Sequence, residues 1–214
     1  MIFYLVRKLD YDQESHHLHL TVQITFWMQF FNTAILLVIV NANMTESYTT
    51  FGLVGGSLQD FNRTWFKLIG NTIVGTMVIN SIIPFVTALF NDCLKGMERV
   101  MDRGSCLKSS YVTSKTSISD YIALYAGFEH PIHEGFASLL IIIFVTFTFG
   151  FGIPVLFPIA FFSIVVLYRF EKYSLYYRYR RPPMYDKEVT QYVTKTLRLA
   201  PVFYLISAYW MLTN

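Results

Sequence analysis

Glu129-His130-Pro131-Ile132-His133-Glu134 crowds two imidazoles and two carboxylates into one short stretch, the residue types that hold metal ions. Zinc asks for a convergent tetrahedral set, and Pro131 interrupts the helix that would align His130 with His133. The stretch therefore reads as an amphipathic lead-in to the apolar segment after it, and no metal ligand set is assigned. His16, His17 and His19 form a second imidazole group, equally suited to a membrane interface. No Ser-His-Asp pattern, phosphate loop or paired intramembrane carboxylate appears, so neither an enzyme nor a cofactor is expected.

Two stripes of polar side chains cross otherwise apolar segments. Thr25, Gln29, Asn32 and Thr33 are spaced to share one helical face. Thr72, Thr76, Asn80 and Pro84 follow at steps of four, with Asn71 and Gly75 beside them. Unpaired amides in hydrocarbon cost several kcal/mol, so both faces must meet protein or water. One reading makes them the walls of a hydrophilic groove or pore. The other makes them glue between helices, with Gly75 allowing close approach. Pro84, with Gly75 and Gly70 before it, would let the segment kink and serve as a gating hinge.

A third set is basic. Tyr176-Tyr177-Arg178-Tyr179-Arg180-Arg181-Pro182-Pro183 interleaves aromatics with arginines beside an apolar segment. Arg178, Arg180 and Arg181 suit anionic lipid headgroups, at about 1 kcal/mol per basic residue near the surface. The alternative is a plain positive-inside signal. Nucleic acid is not an expected partner.

The elements that must position these residues are apolar helices. The chain has 54% hydrophobic and 14% charged residues, against a charged share of about 25% in soluble domains, so it reads as an integral membrane protein. Between Phe136 and Tyr168 no side chain is charged. A single helix of that length would overshoot a hydrocarbon core of about 30 Å. Gly150, Gly152, Pro154 and Pro158 cut the run, which predicts a tight helical hairpin. The expected fold is all-α, a polytopic transmembrane bundle of about five spans. They cover about Thr21–Asn41, Trp65–Phe90, Phe136–Phe149 (starting as early as Pro131), Pro154–Lys172 and Leu199–Leu212.

Loop charge orients them. Lys95, Arg99, Arg103, Lys108 and Lys115 lie between the second and third segments, and a denser basic run follows Arg169; Ala42–Thr64 contains only Arg63. The N-terminus and both basic loops are expected in the cytosol and 42–64 outside. Two Asn-x-Thr triplets, at Asn43 and Asn62, agree. The organisation expected is a cytosolic lead-in 1–20, two spans in 21–91, a cytosolic loop 92–130, the hairpin 131–173, a basic loop 174–198 and a final span 199–214. Cys93 and Cys106 fall in the first cytosolic loop, as reduced thiols. The residues before Asp10 lack a signal peptide's basic-first order.

At the hairpin the sequence resembles a known superfamily. Phe144-Val145-Thr146, Pro154-Val155-Leu156-Phe157-Pro158, Leu167-Tyr168-Arg169, Glu171-Lys172-Tyr173 and Arg181-Pro182-Pro183 with Tyr185 look like the seventh and eighth helices of the anoctamins, the OSCA/CSC (calcium-permeable stress-gated) cation channels and the transmembrane channel-like proteins. The proline spacing is closest to the OSCA/CSC group, and Gln29-Phe30-Phe31-Asn32 resembles the start of the fifth helix. The resemblance implies a pore-region fragment of a mechanically or osmotically gated, cation-permeable channel. Gln29, Asn32, Thr72, Thr76 and Asn80 would line the path, and Gly75 and Pro84 would bend the helix that commonly gates it. Membrane lipids, permeant cations and a second copy in a homodimer are the implied partners. Calcium-activated anoctamins hold calcium with several carboxylates, whereas this chain offers only Glu134 and Glu171 there, with Ala137 and Leu167 apolar. Two further expectations stand beside the channel: a phospholipid scramblase, and a non-conducting membrane subunit. The membrane expected is the plasma membrane or another cellular membrane.

Overall fold

The computed structural model describes residues 14–36, 39, 63–103, 113, 115–128, 130–180 and 187–213. The described residues are helical, with no β-strand among them. Helix α1 spans Glu14–Phe30 and runs on into a π-helical turn, Phe31–Ile35. Helix α2 spans Arg63–Asp102, with a π-helical turn at Phe66–Gly70. Then come α3 (Ile118–Tyr125), α4 (Ile132–Phe149), α5 (Leu156–Tyr177), α6 (Glu188–Leu197) and α7 (Ala200–Thr213). The triplets at Asn43 and Asn62, the external loop from 42 to 62, Cys106 and Arg181 lie outside the described residues.

The most buried helix is α4, packed against α1, α5, α6 and α7. Its sequence is apolar almost all round, and Leu140, Phe144 and Val145 are wholly inaccessible. α1 lays Val22, Phe26, Phe30 and Ala34 against it, a strict step of four on one face. Phe26, Phe30, Phe144 and Phe203 from α1, α4 and α7 close into one aromatic cluster. The Phe26–Phe144 ring centroids are 4.9 Å apart, Phe30–Phe144 5.7 Å and Phe144–Phe203 5.6 Å. Edge-to-face aromatic pairs of this kind contribute about 1 kcal/mol each beyond area burial.

The hairpin forms where the sequence places it. Pro131 caps α4, Gly150 to Val155 make the turn, and Pro158 sits in the first turn of α5, where its missing N–H costs nothing. Gly150 is there for space: a Cβ would collide with the Thr146 carbonyl and stand 2.8 Å from the Phe157 ring. At Gly152 it would stand 2.8 Å from the Met211 sulfur, so the turn is also clamped by α7. Gly150→Ala is expected to destabilise the protein by about 1–3 kcal/mol, read as a lowered melting temperature in detergent.

α2 packs mainly on α5, running parallel to it. Gly70 meets Ile153 near the turn, Phe85 meets Phe170 lower down with centroids 4.5 Å apart, and Arg178 reaches Asp92 near the far end. Midway, the hydroxyls of Ser81 and Ser163 hydrogen-bond across the interface, and each also donates to its own helix, at Met77 and Ile159. The close approach belongs to Gly70, where a Cβ would stand 3.3 Å from Ile153; at Gly75 nothing lies within 4 Å. Among the described residues, then, the close approach that the glue reading placed at Gly75 is made at Gly70.

α3 and α6 lie where loops were expected. α6 is amphipathic: Val189, Val193 and Thr196 are buried towards α1 and α4, while Thr190, Gln191, Thr194 and Lys195 face outward. α3 docks on the end of α2 through Arg99, whose Nε donates to the Leu124 carbonyl at 3.1 Å, and through Asp102, which accepts from the Tyr125 hydroxyl at 2.9 Å and from Thr113 at 2.6 Å. α2 and α4 are long and apolar enough to cross a membrane. α5 is longer than α4, but Arg169, Glu171 and Lys172 interrupt its second half, and α7 at 14 residues reaches only about 21 Å.

Candidate functional site: a polar cleft between α1, α2, α4 and α5

Below the π-helical turn of α1, α1 and α2 separate, and a half-open cleft of about 650 Å³ lies between them, walled by α4 and α5. α1 contributes Thr21, Thr25 and Gln29, three residues at steps of four. α2 contributes Pro84, Thr87 and Asn91. The first turns of α4 add His133, Glu134 and Ser138, and the end of α5 adds Glu171 and Arg178. The wall is thus polar at the ends of helices that are apolar elsewhere.

Its electrostatics are acidic. The Arg178 guanidinium does not face the cleft as a free charge. Nε donates to Asp92 Oδ1 at 2.8 Å, Nη2 donates to the Ala88 carbonyl at 2.6 Å, and the group lies 5.1 Å from the Phe128 ring centre. Glu134 is mostly exposed, and Glu171 lies deeper, with Oε2 3.8 Å from Nδ1 of His130. Gly135 opens the place that Glu171 occupies, since a Cβ there would stand 3.0 Å from Oε1. Lys95 lies outside this set with its ammonium 3.7 Å from the centre of the Phe128 ring. Burial and then the charge of Arg99 lower its pKa.

A short seam holds the floor of the cleft together. Phe128 pairs with the chain after α5: its N–H donates to the Arg178 carbonyl at 3.3 Å and its carbonyl accepts from the Arg180 N–H at 3.0 Å. Gly127 permits this, because a Cβ would stand 2.8 Å from that carbonyl. Burial, with the Glu171 carboxylate adding to it, raises the pKa of the Tyr179 phenol, which stays protonated.

Of the residues expected to line a path, the cleft contains Gln29. Asn32 lies in the π-helical turn, is exposed, and is not part of this wall. Asn32 follows Gln29 by three residues, off the step of four through Thr21, Thr25 and Gln29. Thr72 and Thr76 donate back to the Leu68 and Ile73 carbonyls of their own helix, and neither they nor Asn80 line the cleft. Of the hinge residues, Pro84 lines it, and the helix runs unbroken through that position; Gly75 lies elsewhere. Among the lipid-contact residues, Arg180 is exposed and Arg178 is held within the protein. Reasoning from sequence missed Thr21, Asn91 and Ser138, although Thr21 continues the step of four back from Thr25. Among the described residues no group of three His, Cys, Asp or Glu side chains converges as a metal ion would require.

Cys93 is an exposed free thiol on α2. No family model matches the sequence, and no curated protein or solved structure is significantly similar to it.

Proposed function

We propose that the chain is a multi-pass membrane protein, with its N-terminus in the cytosol, whose acidic cleft is the inner mouth of a cation-permeable path. Membrane residence is supported by the apolar surface of α2: Val78, Ile79, Ile82, Ile83, Val86, Leu89 and Phe90 are all exposed, Leu89 by 66%. A continuous band of that kind is not tolerated in water and is ordinary against lipid tails. The observation that carries the permeation reading is the cleft itself. Amides and hydroxyls from Thr25, Gln29 and Asn91 replace part of a cation's water shell, and Glu134 and Glu171 set the sign.

Gating by membrane tension fits the packing. α2 rests mainly on α5, so displacing it disturbs few contacts with the rest of the bundle. A state in which it moves outward occupies more membrane area and is favoured by stretch. The stress-gated channels that the hairpin resembles supply the same reading.

The test is pressure-clamp recording of the protein reconstituted in liposomes. Suction-evoked, cation-selective unitary currents are expected. Glu134→Gln is expected to lower the cation-to-anion permeability ratio by about fivefold, as removal of one exposed wall charge worth about 1 kcal/mol would. Glu134 is mostly exposed, so folding should be preserved; unchanged selectivity would remove it from the path. A scramblase is the second reading, favoured by the apolar Ile83 and polar Thr87 of α2 sharing the cleft wall while Val86 and Leu89 continue to the exposed face. Silent patches together with dithionite-accessible inner-leaflet lipid would select it.

A further inference from the structure

Beside the cleft, next to Glu171 of its wall, two polar atoms face each other without touching. His130 Nδ1 and Glu171 Oε2 are both buried, lie 3.8 Å apart, and neither has a hydrogen-bond partner. That gap exceeds hydrogen-bonding reach. Leaving such atoms unpaired is costly, and a ligand that satisfies both must be very small. The imidazole side chain is only 11% exposed, and its ring centre lies 4.7 Å from that of Tyr179.

We propose that His130 and Glu171 together form a proton-binding site that latches the segment before α4 onto α5. A hydronium ion gives up the proton and leaves as water; the proton binds imidazole Nδ1 and is donated in a hydrogen bond to Glu171 Oε2. No other covalent bond changes. The pair then closes to about 2.7–2.9 Å, the range of charge-assisted bonds.

The groups facing the site set its working range. α4 brings His133 and Glu134, α5 brings Glu171, and the chain after α5 brings Tyr179, with the Arg178–Asp92 pair and Lys95 of α2 beyond the Phe128 ring. Burial and then the charge of His133 hold the His130 imidazole below its ordinary value near 6.5, so the open arrangement is the neutral one. An unfolded chain takes the proton more readily than this open form. The stability of the open form is therefore complete above about pH 6.5 and declines as pH falls through the lowered folded value. The latched form replaces it in that window.

Two consequences follow from position. Phe128, two residues before His130, is already paired to the chain at Arg178 and Tyr179, so the latch tightens an existing seam. Pairing also withdraws Glu171 from the cleft wall, so acid is expected to reduce cation entry. This second consequence rests on the permeation reading; the site itself does not.

The first measurement is solid-state NMR on the full chain in bilayers, reading the distance from labelled Nδ1 of His130 to the Glu171 carboxyl. The nitrogen resonance is identified by its loss in His130→Gln. Shortening of that distance between about pH 7.5 and about pH 5, with Nδ1 protonated at the lower pH, is expected. An unchanged distance would overturn the latch. The second measurement is the titration midpoint of that nitrogen in Glu171→Gln, expected to fall by about one unit, a tenfold loss of proton affinity. Glu134→Gln should move it less. A midpoint indifferent to Glu171→Gln also overturns the proposal, and the wild-type distance decides the matter if that variant fails to fold. Neither readout depends on conduction, so a silent protein with a working latch would refute only the permeation reading.

Discussion

Phe144→Ala is expected to lower stability by about 3–5 kcal/mol, the largest effect of any single truncation in this fold. Phe144 is fully buried at the centre of α4 and touches aromatic rings from α1 and α7. In a bilayer the lost transfer energy counts for less, because lipid tails are as apolar as the core. The cavity still counts in full, since rings fixed at 4.9–5.7 Å cannot collapse inward without dismantling the packing of three helices. Unfolding in mixed micelles, followed by tryptophan emission from Trp27 beside the cluster, reads the loss. Phe144→Leu should recover more than half of it, because leucine leaves a smaller void. A Phe144→Ala protein as stable as wild type would mean that the cluster is not a core.

Arg178→Ala is expected to cost about 2–4 kcal/mol, where a lipid-facing arginine would cost almost nothing. The change removes an ion pair with Asp92, a charge-assisted bond to the Ala88 carbonyl and the guanidinium against Phe128 at once. Asp92 is about half exposed and recovers water, which keeps the loss below that of a fully buried pair. Arg178→Lys should restore little, since one ammonium cannot make the two divergent bonds that the guanidinium fork makes. Arg180→Ala is the comparison: that side chain is exposed, so its loss should cost less than the loss at Arg178. Equal effects at 178 and 180 would return both to the lipid surface.

The hairpin was legible because its signals are local. Gly150, Gly152, Pro154 and Pro158 act through steric rules that need no tertiary partner, and Pro131 announced the start of α4 for the same reason. The buried face of α1 was equally open to reading, since Val22, Phe26, Phe30 and Ala34 repeat every fourth residue. α6 escaped because its mean composition is polar, although Val189, Val193 and Thr196 keep a helical period that a patterning test detects. The wall of the cleft was only half legible. The stripe on α2 was extrapolated towards Thr72, while the helices actually part at the other end, around Pro84 to Asn91. A polar stripe shows which side of a helix needs company, but not at what height that company is another helix or water. Thr72 and Thr76 solve the problem locally by donating to their own backbone. The pairing of Arg178 was not legible for a related reason: a basic run beside a span has a ready membrane explanation, and Asp92, far away in sequence, gives no sign of being its partner.

The tight turn between α4 and α5 also fixes the mechanics of the molecule. It joins two leaves, one made of α1, α4, α6 and α7 and the other of α5 with α2 riding on it, and the cleft opens at the end away from that joint. α5 measures 22 residues, so its arm is about 33 Å long. Rotation by about 5° at the turn would carry the far end of that arm by about 3 Å. A Cβ at Gly150 would jam that fulcrum, and the seam at Phe128 with the His130–Glu171 pair sits where a clasp has the greatest leverage, at the tips. Close packing at glycine thus fixes the joint at one end, and under the proposed latch the other end is held by contacts that a single proton governs.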